Sequence, residues 1–222
     1  MTDIAENIVS LKQQIPASVK VVAVSKTKSE GEILEAYNTG HRIFGENRVQ
    51  ELISKKNNLP DDIEWHFIGH LQTNKVRIIV PVAGMIESVD SFKLLKVISN
   101  EAIKCGRIID CLLQFHIAKE ETKSGFTLAE AEEMIRSDEY VQLQNIRVCG
   151  VMGMATYTDD TEQVKTEFRS LYNYYIRLKT SYFNDQPSFK EISMGMSGDY
   201  RIAVEEGSTI IRIGSIIFGS RY

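Results

Sequence analysis

The chain contains no long apolar run and no excess of basic residues. A transmembrane helix needs about 20 consecutive, predominantly apolar residues, and no stretch of this sequence approaches that length. Lys and Arg together number 26 against 30 Asp and Glu, which gives a net charge of −4. A nucleic-acid-binding face needs clustered basic residues. We therefore expect neither a membrane nor a nucleic acid as a partner.

Cysteine is scarce as well. The three residues Cys105, Cys111 and Cys149 form no C-x-x-C spacing, and their odd number leaves one without a pair. Neither a disulfide framework nor a zinc site is therefore predicted, and all three are expected to be small buried side chains. Residues 2–9 have no positively charged segment followed by an apolar one, so no secretory signal is predicted. We expect a cytoplasmic protein.

The chain has instead a regular alternation of short β-type runs and amphipathic helical stretches, which favours parallel strands joined by crossover helices. We predict an α/β fold, a single (β/α)8 TIM barrel over residues 1–222 with an extra N-terminal helix at Thr2–Gln14. An open doubly wound sheet is the alternative, although the sequence lacks the early G-x-G-x-x-G of its dinucleotide-binding form. The predicted strands are Lys20–Ser25, Arg42–Phe44, Ile63–Ile68, Met85–Ser88, Ile109–Phe115, Arg147–Met152, Phe189–Ile192 and Ile210–Ile213.

Lys26 directly follows the apolar part of the first predicted strand. Ligands bind at the C-terminal ends of the strands of such a barrel, so the amine of Lys26 would project from a dry wall into the binding site. Desolvation disfavours the ammonium form, which makes such a lysine a nucleophile that can form a Schiff base with an aldehyde. A surface lysine that merely ends a strand is the alternative for this residue taken alone.

The loops after the seventh and eighth predicted strands have the character of an anion site. Ser197 offers a hydroxyl group, and glycines at 198 and 214 let backbone N–H groups approach an anion closely. These two loops form the phosphate site common to this fold. The alternative is that Ser197 only caps a helix and the glycines serve turns. Asp199 would repel a phosphate, so we expect its side chain to point outward.

Arg212 lies inside an otherwise apolar run. Burying an unpaired guanidinium group is costly, so we expect Arg212 to face a fixed acceptor. That acceptor is either a ligand or a barrel carboxylate such as Glu191. His66 and His70 have a spacing seen in metal sites, but the strand and glycine turn predicted between them argue against one.

One ligand satisfies these features together. Pyridoxal 5′-phosphate has an aldehyde for Lys26, a phosphate for the loops after strands seven and eight, and a ring nitrogen for a polar partner. A sugar phosphate, bound by a cofactor-independent Schiff-base aldolase, would satisfy only part of the set.

Several segments resemble the pyridoxal phosphate homeostasis protein family, which includes the bacterial YggS-type proteins and the human proline synthase co-transcribed homologue. The five ordered motifs are residues 22–28 (VAVSKTK), 44–51 (FGENRVQE), 65–75 (WHFIGHLQTNK), 194–197 (MGMS) and 212–219 (RIGSIIFG). Residues 119–126 (KEETKSGF) also resemble the family's fifth loop.

This resemblance implies a barrel like the N-terminal domain of alanine racemase, with pyridoxal phosphate held on Lys26 as a Schiff base and its pyridine nitrogen facing Arg212. The remaining implied cofactor-binding residues are Ser197, Gly198, Gly214 and Ser215 for the phosphate, and Asn47 and Met154 beside the ring.

Arginine does not give up its proton, so a ring nitrogen facing Arg212 stays unprotonated and is a poor electron sink. The chain also ends at Tyr222, without the second domain that supplies the catalytic tyrosine of alanine racemase. We therefore expect a non-catalytic, monomeric binder in pyridoxal phosphate (vitamin B6) homeostasis, with apo-enzymes that use the cofactor as transient partners. A small racemase-like, pyridoxal phosphate-dependent enzyme is the alternative.

Overall fold

The computed structural model describes residues 3–119 and 124–219. Eight parallel strands close into a barrel in chain order, with β8 paired to β1. The strands are β1 Lys20–Val24, β2 Ile43–Glu46, β3 Glu64–Phe67, β4 Met85–Val89, β5 Ile109–Phe115, β6 Ile146–Gly153, β7 Glu191–Ser193 and β8 Ile210–Ile213. The predicted (β/α)8 TIM barrel is therefore confirmed.

Helices connect the strands around the outside of the barrel. Within the described residues they are α1 Ile4–Gln13, α2 Glu30–Asn38, α3 Val49–Asn58, α4 Val76–Ile79, α5 Phe92–Cys105, α6 Leu128–Arg136, α7 Asp138–Val141, α8 Thr161–Tyr182, α9 Tyr200–Glu205 and α10 Ser215–Phe218. The extra N-terminal helix is present as α1. Among the residues that the structure describes, no helix combines the length and apolar character that crossing a membrane requires.

Local sequence explains where the helices begin. The hydroxyl of Ser29 accepts the backbone N–H of Glu32, and the Glu32 side chain accepts the backbone N–H of Ser29, a capping box at the start of α2. Thr127 and Glu130 form the same reciprocal pair at the start of α6. These bonds satisfy N–H groups that the first turn of a helix leaves without partners.

The seventh strand differs from its prediction. It runs over Glu191–Ser193, whereas the sequence indicated a strand that begins at Phe189. The ring of Phe189 stacks on Phe183 with centroids 4.2 Å apart, and on Tyr175 at 5.4 Å. Packing with α8 therefore draws Phe189 out of the sheet.

Two of the three cysteines are buried, as expected, and one is not. Cys111 and Cys149 lie on β5 and β6, but Cys105 is exposed at the end of α5. The prediction that all three are buried is wrong for Cys105, because it falls on the solvent side of an amphipathic helix.

Apolar side chains fill only part of the barrel interior. Six buried residues form a small cluster there: Val22, Met85, Leu112, Cys149, Met152 and Ile210. The rest of the interior contains charged and polar side chains, including Glu87, Ser193 and Arg212, which are buried. The main apolar core lies between the strands and the surrounding helices.

Candidate functional site

A cavity of about 620 Å³ opens at the C-terminal ends of the strands. All eight residues that the sequence indicated as cofactor-binding line it, namely Lys26, Asn47, Met154, Ser197, Gly198, Arg212, Gly214 and Ser215. The barrel thus brings together residues that are up to 189 positions apart, as from Lys26 to Ser215. Their assignment to particular parts of a cofactor remains a prediction.

A tight turn places Lys26 at this cavity. The backbone N–H of Lys28 donates to the Ser25 carbonyl at 3.0 Å, which closes the turn around Lys26. Thr27 has φ 65°, a left-handed conformation that β-branched residues rarely adopt. Its N–H donates to the Glu51 carboxylate at 2.7 Å, which holds the strained residue in place. Such local strain is concentrated at functional sites.

A buried ion pair between Glu46 and Lys55 fixes the residue that follows β1. The Glu46 carboxylate accepts hydrogen bonds from the Ser25 hydroxyl at 2.6 Å and from the Lys55 ammonium group at 2.7 Å. Lys55 also donates to the Ser25 carbonyl at 2.8 Å. Burial raises the pKa of Glu46 despite these bonds. The residue before Lys26 is therefore fixed through both its side chain and its backbone.

The loops after β7 and β8 meet at one side of the cavity. The Ser197 hydroxyl accepts the backbone N–H of Gly214 at 3.3 Å, which joins the two loops at the start of α10. A Cβ atom at Gly198 would meet no other atom within 4 Å, so the backbone here is open to a ligand.

Asp199 departs from its prediction. Its side chain is half-buried, lines the cavity and accepts the backbone N–H of Met196 at 2.5 Å. The expectation that it points outward is wrong, because this short bond folds it back onto its own loop. Burial raises the pKa of Asp199, while the positive charge of Arg212 opposes that rise.

Arg212 is buried, and its barrel partner is not the one suggested from the sequence. Its guanidinium group donates to the Ser193 hydroxyl at 2.6 Å and to the Gly153 carbonyl at 3.0 Å. The nearest carboxylate is Glu87, with Nη1 and Oε2 3.9 Å apart. Glu191 pairs instead with Lys20 at 2.8 Å, because both stand at the N-terminal ends of their strands.

Asn47 presents an unsatisfied acceptor at the cavity. Its Oδ1 is buried and has no hydrogen-bond partner among the described residues. Gly69, on the loop after β3, packs directly against the Asn47 backbone, since a Cβ atom at Gly69 would lie 2.3 Å from the Asn47 carbonyl oxygen. Sequence reasoning missed this role of Gly69, although a glycine directly after a strand is a signal for close backbone approach.

Eleven further residues line the cavity but were not predicted to bind the cofactor: Val24, Lys28, Ile68, Gly69, His70, Gln114, Ser124, Tyr157, Met196, Asp199 and Gly219. Ser124 belongs to the segment 119–126 that resembled the family's fifth loop, and residues 120–123 of that segment lie outside the described residues.

The two histidines considered for a metal lie apart. His70 contacts Asp90 at the cavity mouth, whereas His66 lies inside the barrel between Glu64 and Glu87. Over residues 3–119 and 124–219, no group of three or more His, Cys, Asp or Glu side chains is arranged to hold a metal ion.

The cavity fits pyridoxal phosphate in its donor set. It offers the primary amine of Lys26, the planar guanidinium group of Arg212, which only donates hydrogen bonds, and two loops with backbone N–H and hydroxyl groups. The orphaned Oδ1 of Asn47 is an acceptor that still needs a partner.

Comparisons with known proteins point the same way. A family model described as the N-terminal domain of alanine racemase matches residues 1–222. The pyridoxal phosphate homeostasis protein of Aquifex aeolicus is 40% identical over 204 residues, which are 91% of this chain and 87% of that protein. The protein of the same name from Escherichia coli is 32% identical over 235 residues, covering 100% of this chain and 98% of the relative.

Solved structures agree on the fold. PipY of Synechococcus elongatus, with pyridoxal phosphate bound, has a TM-score of 0.88 and 37% identity, covering 97% of this chain and 100% of that chain. Alanine racemase of Clostridium difficile has a TM-score of 0.78 at 15% identity, covering 99% of this chain and 57% of that chain. The latter likeness concerns the fold alone.

Proposed function

This chain belongs to the pyridoxal phosphate homeostasis protein family, which has the fold of the alanine racemase N-terminal domain, and we propose that it binds pyridoxal 5′-phosphate in vitamin B6 homeostasis. The observation that carries the proposal is the convergence of a lysine amine, an arginine and two anion-binding loops on one cavity. The bound cofactor of PipY, a relative of 37% identity, supports it.

Each part of the cavity has a role in this proposal. Lys26 is the point of covalent attachment: its neutral amine attacks the aldehyde carbon, a C=N bond forms, and the aldehyde oxygen leaves as water. Ser197, Gly198, Gly214 and Ser215 hold the phosphate with hydroxyl and backbone N–H donors. Asn47 and Met154 border the ring, and Met154 offers a polarisable thioether for contact with an aromatic face.

Arg212 favours binding over catalysis. When bound, the cofactor would withdraw electrons from an attached amine, and it does so strongly only when its ring nitrogen is protonated. Arg212 donates hydrogen bonds and does not release a proton, so it keeps that nitrogen unprotonated. The protein holds its cofactor in a form that reacts weakly with amino acids. We propose that it acts in the cytoplasm as a monomer and passes cofactor transiently to apo-enzymes.

The test is the visible absorption spectrum of the purified, cofactor-loaded protein before and after borohydride reduction, with the adduct mapped by peptide mass. We expect the wild type to give a reduced adduct on Lys26, and Lys26→Ala to give none while it retains weak, phosphate-driven binding. Lys28→Met is the matched control, because Lys28 also lines the cavity, and it should keep the adduct.

Two results would contradict the proposal. An adduct that persists in Lys26→Ala would exclude Lys26 as the attachment site. Rapid interconversion of alanine enantiomers by the loaded protein, followed by chiral chromatography, would replace the binder with a racemase-like enzyme.

A further inference from the structure

A continuous chain of hydrogen bonds runs through the barrel interior and is buried from His66 to Arg212. It begins at Glu64, at the N-terminal end of β3, and ends at Arg212 under the cavity. His66 contacts Glu64 at 3.1 Å through Nε2 and Glu87 at 2.5 Å through Nδ1. Ser193 donates to the second oxygen of Glu87 at 2.5 Å and accepts from Arg212 at 2.6 Å.

The chemistry of these groups fixes the direction of every bond. A guanidinium group only donates hydrogen bonds, and an ionised carboxylate only accepts them. Ser193 therefore accepts from Arg212 and donates to Glu87. His66 lies between two carboxylates, so both of its ring nitrogens donate, which requires the imidazolium form. The buried chain thus alternates in charge from Glu64 through His66 and Glu87 to Arg212.

The electrostatics agree with this alternation. Burial opposes the charge on His66, but its bonds with Glu64 and Glu87 raise its pKa to about 9. Burial also opposes the charge on Glu87, yet His66 and Arg212 hold the pKa of that carboxyl below its ordinary value. Burial lowers the pKa of Arg212, and the negative charges of Glu87 and Asp199 counteract it.

Building on the proposed function, we infer that Glu87 and His66 are positioning residues for Arg212, and that their chain couples the charge at the N-terminal end of the barrel to the cofactor ring. Glu87 orients Arg212 through the hydroxyl group of Ser193, which bonds to both side chains. The positive charge of His66 attracts the Glu87 carboxylate and so weakens the electrostatic effect of Glu87 on Arg212. A proton lost from His66 leaves Glu87 to act on Arg212 alone.

Glu64 allows a test at a distance from the cofactor. Its side chain is half-exposed, contacts His66 and does not line the cavity. Glu64→Gln removes one of the two carboxylates that stabilise the imidazolium of His66, so it should lower the midpoint of His66 titration by about one pH unit. Asp62→Asn is the matched control, because Asp62 precedes the same strand and is similarly exposed but pairs with Arg42.

The experiment follows the visible absorption of the loaded protein from pH 7 to 10 and, in parallel, His66 by NMR in the unloaded protein. The other groups facing this chain are Lys20 beside Glu64, Asp199 beside Arg212, and Lys26 in the cavity. We expect the cofactor absorption to change in one step whose midpoint pH matches that of His66. This midpoint should fall together with that of His66 in Glu64→Gln and should stay unchanged in Asp62→Asn.

Two outcomes would overturn the inference. One is a His66 midpoint that moves in Glu64→Gln while the cofactor spectrum titrates as in the wild type. The other is a His66 ring that is neutral at pH 8 in the wild type. A wild type that forms no borohydride-stable adduct at all would instead refute the proposed function, so the two failures are distinguishable.

Discussion

The buried histidine makes a quantitative prediction about stability. His66 has a pKa of about 9 in the folded protein, against 6.5 for an unperturbed histidine. A difference of one in pKa corresponds to 1.36 kcal/mol, so protonated His66 contributes about 3 kcal/mol to the free energy of unfolding. Because the folded value is the higher one, this contribution is complete below pH 6.5 and is lost as the pH rises towards 9.

The decrease of the unfolding free energy with pH has an upper limit. Between pH 6.5 and 9 the folded chain holds one proton that the unfolded chain has released, so the free energy of unfolding should fall by at most about 1.4 kcal/mol per pH unit. The measurement should stop near pH 9. Burial raises the pKa of Cys149 to about 11 in the folded protein, whereas thiols of the unfolded chain begin to ionise near pH 9, so a second titration would add to the loss of stability above that pH. A loss of about 3 kcal/mol is large for a domain whose total stability is of the order of 5–15 kcal/mol.

Urea unfolding at a series of pH values measures this loss. Trp65 is the single tryptophan of the chain and is buried next to His66 in sequence, so its fluorescence reports unfolding. His66→Gln should have a nearly flat profile over the window, whereas His70→Gln, which changes an exposed histidine, should decline like the wild type. If the wild type and His66→Gln decline in parallel, His66 is not held as an imidazolium and the reasoning fails.

Three further predictions concern the cavity, the buried hydrogen-bond chain and the stability of the protein at acidic pH. Gly69→Ala should weaken pyridoxal phosphate binding by roughly tenfold or more in a fluorescence titration, because its Cβ would lie 2.3 Å from the Asn47 carbonyl oxygen and must displace that residue; unchanged affinity would argue against a role for Asn47. Arg212→Met should cost about 3–5 kcal/mol of unfolding free energy, because it removes one of the two cations beside the buried Glu87 carboxylate and leaves only His66, and Arg212→Met combined with Glu87→Gln should cost less than Arg212→Met alone in the same urea assay. Burial lowers the pKa of His41 to about 4, so stability should fall by about 3 kcal/mol as the pH drops from 6.5 to 4, and His41→Asn should remove that fall.

The sequence was sufficient to predict that Lys26, Ser197 and Arg212 reach one cavity. Ligands bind at the C-terminal ends of barrel strands, so the positions of these residues along the predicted strands and the loops after them placed them at the site, and all three line the cavity. The bounds of β5 and β8 also match their predictions, because each is a mostly apolar run bounded by polar or turn residues. The local sequence pattern was therefore enough to predict features that depend only on the position of a residue along its strand.

The partner of Arg212 could not be predicted in the same way. Alternation tells which side chains face the barrel interior, but which of them meet across it depends on the stagger between strands, which no local pattern encodes. Glu191 on β7 and Glu87 on β4 are both buried carboxylates. The stagger of the strands decides that Glu191 pairs with Lys20 and that Glu87 lies beside Arg212. The available signal was Glu87 itself, the one charged residue of β4, a strand that is buried along its whole length.

The buried chain also explains why the barrel interior is not simply apolar. Replacing a buried ion network with well-packed hydrophobic residues is often neutral or stabilising, so stability alone does not account for four charged side chains in the barrel. Their charges alternate and sum to zero, and one end of the series is the guanidinium group that lines the cavity. A lone arginine at that position would be mobile and costly to bury, whereas one fixed by Ser193 and compensated by Glu87 presents its remaining donors in a constant geometry. The polar interior is therefore best understood as the support of the site above it.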